Sequence, residues 1–340
     1  MARWITGISR VGRGSPAHSC WLEGDYVHMS NPAIPSEVTR CGYVAIVGRP
    51  NVGKSTLLNA LVGEKISIVS SKAHTTRHRT LGIISRDAAQ AIFIDTPGLH
   101  RDRKRALHRL MARTVSQAIE DADLILMVVD ANRIVAEDRR LATILGDRLA
   151  RTILVLNKID TVHRRADLLS VLQAAAKEFP CAAYVPISAR RQENLQGLVD
   201  EILGRLPVGP LMFPRTATTD KDMRFRIAET IREKLLESLY REVPYGLTVE
   251  IEHFGEVADD EEAGEDGQIL VHALIWLDRT SHKAIVIGKG GRVLKSVGRA
   301  ARIELAEMLG RRVHLELWVK VREGWADSER ELQRFGFDVS

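Results

Sequence analysis

The chain has 340 residues, 45% of them hydrophobic, with a formal net charge of +5 and a pI near 9.2. That is enough apolar material for two packed cores, which excludes global disorder, and the charge is too mild for a tail that coats nucleic acid. Three cysteines (Cys20, Cys41, Cys181) with no CxxC pair argue against a disulfide framework or zinc knuckle and for a reducing, cytoplasmic setting, and no apolar run approaches the ~20 residues that span a bilayer.

Residues 1–40 carry Gly, Ser and Pro with little periodicity. Met29 opens a stretch leading directly into the first apolar run, so the first 28 residues read as an upstream-start artefact or a disordered extension. A targeting peptide is the alternative, because Arg3, Arg10 and Arg13 precede the first acid, Glu23. From 41 to 206 short apolar runs alternate with helical patterns. Strands are predicted at 43–47, 66–69 (an edge strand), 91–95, 124–130, 152–157 and 182–187, and helices near 54–62, 104–119, 136–149, 165–178 and 193–205. Several runs are apolar at nearly every position, which predicts an α/β unit with a mostly parallel sheet covered by helices. A linker is predicted at 207–219, with Pro207, Gly209, Pro210 and Pro214. The remainder, 220–340, predicts an α+β unit: a helix at 222–241, strands through 247–251 and 269–277, a helix, a GKGG turn, a helix at 292–309, a strand at 313–321 and a short helix at 326–334.

Five elements in the first unit carry chemistry. Gly48-Arg49-Pro50-Asn51-Val52-Gly53-Lys54-Ser55-Thr56 follows an apolar strand and opens a helix, the context of a phosphate-binding loop. Its glycines let backbone N–H groups wrap a phosphate chain, Lys54 reaches the β- and γ-phosphates, and Ser55 offers a hydroxyl to Mg2+. Asp95-Thr96-Pro97-Gly98 ends a strand: the carboxylate serves the same metal, and Gly98 brings its N–H toward the γ-phosphate. In the loop before that strand, Thr75 or Thr76 supplies a hydroxyl to the metal, with Thr76 favoured. Asn157-Lys158-Ile159-Asp160 selects guanine: the Asp160 carboxylate accepts from N1–H and the 2-amino group, which adenine lacks, worth roughly 10⁴ in discrimination. Ser188-Ala189-Arg190 offers a backbone N–H to guanine O6. Together these predict a GTP/GDP site with catalytic contributions from Asn51, Lys54, Thr76 and Gly98, and a metal set of Ser55, Thr76 and Asp95.

Leu99 follows Gly98, so no glutamine stands where one orients the attacking water, and slow turnover is expected. Asn51 is a candidate K+ ligand or a loop-stabilising side chain; His100 reads as a surface histidine.

In the second unit, Ile287-Gly288-Lys289-Gly290-Gly291-Arg292 forms a GxxG loop between two helices. In an α-β-β-α-α-β order this matches a type II KH domain, whose loop approaches a nucleic-acid backbone beside a groove for unpaired bases. Between Arg279 and Arg322 stand 11 Lys or Arg against 3 Glu, so Lys283, Lys289, Arg292, Lys295 and Arg299 are read as facing phosphates. Seven acids between Glu256 and Asp266 read as a solvated loop. Trp318 could stack on a base; packing on the terminal helix is the favoured expectation.

GRPNVGKSTLLNALVGEKISIVS, the TTRHR loop, DTPGLH, NKID, IREKLL…REVPYGLTVEI and VIGKGGRVLKSVGRAAR together resemble the Era family of bacterial GTPases over residues 41 to 338. The resemblance implies a P-loop GTPase domain joined to a KH domain, slow GTP hydrolysis with Mg2+, and binding of the 3′ end of 16S rRNA. It also implies a role in maturation of the 30S subunit precursor, and a mostly monomeric chain with peripheral association at the inner face of the membrane. Two alternatives remain open: an RNA-binding assembly protein that keeps GTP as a structural ligand, and a related GTPase acting on another RNA.

Overall fold

Apolar residues on β1 (Arg40–Val47), β4 (Leu124–Asp130) and β5 (Thr152–Asn157) alternate between two buried faces. Val44, Ile46, Leu126, Val128 and Val155 pack with Leu57 and Leu58 of α1 (Lys54–Val62) and Leu198 of α5 (Leu195–Arg205). Ala45, Val47, Met127, Val129 and Leu156 pack with Val115 of α2 (Ala106–Asp121), Leu141 of α3 (Ala136–Leu145) and Ala175 of α4 (Arg165–Glu178). With helices on both faces, the strand interiors are almost wholly apolar, which is why the runs read as nearly continuous. The sheet order is β2-β3-β1-β4-β5-β6, with β3 at Ala89–Asp95 and β6 at Ala183–Ile187. All pairs are parallel except β2 (Thr80–Arg86) with β3. The carboxyl ends of β1, β3, β5 and β6 therefore share one rim, where ligands collect in open α/β sheets.

This computed structural model describes residues 38–70, 72, 75–98, 105–239, 246–256 and 268–337. The 28-residue extension, Leu99, His100 and most of the acidic stretch lie outside the described residues. Among the described residues no helix is long and apolar enough to cross a membrane.

The edge strand expected at 66–69 is not a strand. Ile66 and Ile68 are buried, but their backbone is held by side chains: Asn59 Oδ1 accepts from Ile66 N (3.1 Å) and Ser67 N (2.9 Å), and Asn59 Nδ2 donates to Ser67 O (2.7 Å). The edge strand is instead β2, disguised in the sequence by Gly82, where a Cβ would lie 2.5 Å from Leu58 Cδ1. Its outer edge is covered by the linker and the residue after it: Ile83 N donates to Thr218 O (2.8 Å), and Leu81 N to Asp220 Oδ1 (2.8 Å). Gln90, fully buried, anchors the same segment by accepting from Met212 N (2.9 Å) and Phe213 N (3.0 Å).

The second unit folds as α6 (Met223–Ser238), β7 (Leu247–Glu256), β8 (Ile269–Leu277), α7 (Thr280–Ile287), α8 (Arg292–Leu309) and β9 (Val313–Val321). β7 and β8 are antiparallel, β8 and β9 parallel. One sheet face is buried through Val271, Ala273 and Ile275 against Ile231 and Leu235 of α6 and Val297 and Ala301 of α8.

Helix boundaries differ most from expectation at three places. α3 stops at Leu145 because Gly146 adopts φ +52, and a tighter turn, Gly146–Arg151, follows. α6 ends at Ser238, and Leu239 is extended. The terminal helix expected at 326–334 is split into a single turn at Trp325–Asp327 and α9 (Glu329–Arg334), which starts at its Ser328 cap. Trp318 does not pack on that helix: it is 40% exposed and meets His272 edge-on at 5.2 Å. The terminal segment buries Trp325, Leu332 and Phe337 against Leu107 and Met111 of α2, and its Phe335 meets Trp276 at 5.9 Å.

Candidate functional site: phosphate loop, base pocket and GxxG groove

β1 delivers the chain into the glycine-rich loop, and α1 begins at Lys54. Gly53 sits at φ +96, and a Cβ there would lie 2.4 Å from Asn157 Nδ2, so only glycine fits. Asn51 also holds a positive φ of 63°. Lys54 is buried beneath the loop and donates to Gly48 O (3.1 Å) and Arg49 O (3.2 Å). Burial lowers its pKa to about 8; the charge of Asp95 opposes the shift and that of Arg49 adds to it. The Arg49 and Val52 side chains leave the site: Arg49 Nε lies 3.4 Å from the buried Asp138 of α3, and Val52 joins the core.

The three residues expected at the metal converge. Ser55 Oγ donates to Asp95 Oδ2 (3.0 Å) and lies 2.9 Å from Thr76 Oγ1, which is 3.5 Å from the same carboxylate oxygen. Ser67, unnoticed in the sequence, donates to Asp95 Oδ2 as well (2.9 Å). Among the described residues Asp95 Oδ1 is buried without a hydrogen-bond partner, and burial raises this carboxyl's pKa against the pull of Lys54 and the three hydroxyls. The hydroxyl cluster and the unsatisfied oxygen suit a hard cation that keeps waters in its shell. Thr75 is differently engaged, its hydroxyl donating to Lys72 O (2.6 Å). Thr56, Val69, Thr75 and Gly98 complete the pocket wall around Lys54 and Ser55. Gly98 lies against the phosphate loop, where a Cβ would come within 3.0 Å of the Pro50 ring. Pro97 is buried, and Thr96 pins this turn to β1 by donating to Ile46 O (2.8 Å).

At the end of β5, Asn157 ties three loops together. It donates to Val52 O (2.8 Å) and accepts from Lys158 N (2.8 Å) and Ala189 N (3.0 Å). Lys158 extends along the pocket to Asn51 O (2.7 Å) and Asp130 Oδ2 (3.0 Å). Asp160 accepts from Ser188 Oγ (2.6 Å), so the NKID and SAR turns meet side by side. Sequence reasoning missed Asp130. Its burial raises the carboxyl's pKa, but bonds from Asn132 and Lys158 outweigh this and hold it below the ordinary value. The signal available was its place at the end of β4, on the same rim.

In the second unit Gly288, Gly290 and Gly291 all have positive φ (73°, 60° and 75°). Among the described residues a Cβ on Gly290 or Gly291 would meet nothing within 4 Å, so this backbone is open to approach. Beside it runs a groove with Lys295, Arg299 and Arg302 on one wall and Leu294, Leu315 and Leu317 lining it. Lys289 and Arg292 are exposed at its mouth, with Arg292 Nε donating to Lys289 O (3.3 Å). Lys283 is exposed on α7 and Ile287 half-buried at its end; neither lines the groove. Arg302 was missed, although its spacing from Lys295 and Arg299 places all three on one helix face.

A phosphate loop, a hydroxyl-rich cation pocket and a base-binding rim on a mostly parallel sheet define a P-loop GTPase, here carrying a C-terminal KH domain. Family models agree: residues 43–158 match a "50S ribosome-binding GTPase" domain and residues 242–326 a KH domain. The chain is 45% identical to GTPase Era of Stenotrophomonas maltophilia over 299 residues, covering 88% of this chain and 97% of that one. GTPase Era of Haemophilus influenzae matches at the same identity and coverage. Among solved structures, Era of Aquifex aeolicus bound to GDP·AlF4− superposes with a TM-score of 0.81 at 39% identity, covering 88% of this chain and 100% of that one. Era in complex with MgGDPNP and nucleotides 1506–1542 of 16S ribosomal RNA superposes with a TM-score of 0.82 at 40% identity and the same coverage. The chain belongs to the Era family and is a GTPase.

Proposed function

We propose that this GTPase binds the 3′ end of 16S rRNA through its GxxG groove and acts in maturation of the 30S subunit. The observation that carries this reading is the presence, in one chain, of a guanine-type nucleotide rim and an open basic groove, together with the relative at 40% identity captured with MgGDPNP and 16S rRNA. The GTPase domain is taken as 41–206, the linker as 207–219 and the KH domain as 220–340.

Ser55 and Thr76 would hold Mg2+, with Asp95 behind them; when bound, the ion neutralises charge between the β- and γ-phosphates. Lys54 spans the phosphates from below, and Gly98 offers its N–H from the opposite side. Asp160 reads the guanine edge while Asn157 keeps the phosphate loop and the SAR turn in register. Hydrolysis is slow because Leu99 cannot orient water. Asn51, at its left-handed turn, is the K+ ligand of this reading, adding positive charge beside the phosphates. Soluble cytoplasmic action with peripheral contact at the inner membrane face completes it. GTP and RNA each raise the other's affinity, since coupling is reciprocal.

The test is crosslinking in the GTP state followed by sequencing of the recovered RNA. Recovery of the 16S 3′ end is expected; recovery of large-subunit RNA would replace this target with another.

A further inference from the structure

Helix α6 turns charge inward. Arg232 and Glu233 are adjacent, and each is 2% exposed, a costly position unless both are partnered. Their partners lie in the loop that walls the nucleotide pocket. Glu233 Oε1 accepts from the backbone N of Val69 at 2.7 Å, and Arg232 donates to the backbone O of Thr75. Glu229, one turn earlier, holds the Arg232 guanidinium with two bonds of 2.6 and 2.7 Å. Lys65 bonds both Glu233 and Glu304 of α8, and Lys234 closes the set on Glu304 at 2.6 Å.

Val69 and Thr75 both line the pocket, and Thr75 directly precedes the residue whose hydroxyl meets Ser55. We propose that Arg232 and Glu233 are positioning residues for GTP turnover: from the KH side they bond the main chain at Val69 and Thr75 and hold the Thr76 hydroxyl against Ser55. This rests on the reading that Thr76 serves the γ-phosphate side of the pocket. Apolar side chains would fill the same space at lower desolvation cost; what they cannot do is bond the N–H of Val69 and the C=O of Thr75 and thereby fix these two positions. The same ion-pair set reaches α8, which carries Lys295, Arg299 and Arg302, so one helix pair contacts both ligand sites.

The test uses the full chain with Arg232→Ala, Glu233→Gln and the conservative Arg232→Lys. Affinities for GTP and GDP are measured with fluorescent nucleotides, and hydrolysis by single turnover. GTP affinity or turnover should fall about tenfold in Arg232→Ala and Glu233→Gln, with GDP affinity within about twofold of native and partial recovery in Arg232→Lys. Native GTP behaviour in both variants overturns the proposal, and so does an equal loss of GTP and GDP affinity, which would mean general damage. A parallel Thr76→Ala chain with native turnover would remove the loop's role itself, and the proposal with it.

Discussion

At the residue scale, the proposed base choice rests on Asp160, which accepts from Ser188 Oγ. Asp160→Asn should exchange guanine for xanthine preference, because the amide presents a donor where the carboxylate presented an acceptor. Competition between xanthosine and guanosine nucleotides checks it; unchanged guanine preference would contradict the assignment. Lys54 gives a pH signature. Its pKa is lowered to about 8, chiefly by burial. An anionic phosphate chain favours the protonated amine, so binding takes up a proton wherever the free amine has lost it. Affinity should therefore be flat below about pH 8 and fall toward tenfold per pH unit above it, and Lys54→Met should abolish that limb along with most of the affinity. The residues proposed for this chemistry could be named from the sequence because each sits in a short motif of fixed spacing. Between Thr75 and Thr76 the sequence favours Thr76 without a contact to decide it; in the structure Thr76 meets Ser55 while the Thr75 hydroxyl turns to Lys72 O. Asp130 and Arg232 stayed hidden because one partner of each, Lys158 and Thr75, is distant in the chain.

At the element scale, sequence periodicity located buried strands well and misjudged the edge. The 66–69 segment alternates like a strand, yet Asn59 and Glu233 satisfy its backbone in place of a neighbouring strand. β2 carries a glycine that weakens its strand signature because α1 passes so close. The GKGG turn was legible because consecutive positive-φ positions demand glycine. Replacing Lys289 and Gly290 by Asp should reduce RNA affinity by at least tenfold, through lost attraction and a blocked approach, with GTP affinity unchanged. Filter binding and nucleotide titration on the same preparation separate this from misfolding. In the native chain the salt slope should reflect roughly 0.7 released counterions per phosphate contact.

At the scale of the whole molecule, the two units share buried surface that neither sequence half announces. His78 stacks on Phe337 (4.1 Å between ring centroids) and meets Phe225 edge-on (5.3 Å). Burial lowers its pKa to about 4; Glu229 opposes the shift, while Arg232, Lys221 and Arg77 add to it. The unfolded chain would protonate this histidine near 6.5 and the folded chain only near 4. Stability is thus complete above about pH 6.5 and declines as pH falls toward 4, with a slope of at most ~1.4 kcal/mol per pH unit from this group. Denaturant melts across that range should show the decline, and His78→Phe should flatten this part of it.

The strap formed by residues 218–220 lies along the outermost strand of the nucleotide-binding sheet, occupying N–H groups of Leu81 and Ile83. A protein truncated after residue 206 would keep every nucleotide motif but bare that rim as a template for pairing with a second copy. Such a fragment should self-associate with rising concentration on sizing chromatography, whereas extending it to residue 220 should restore a single species, so the shortest well-behaved catalytic fragment is set by a sheet edge and not by the last motif.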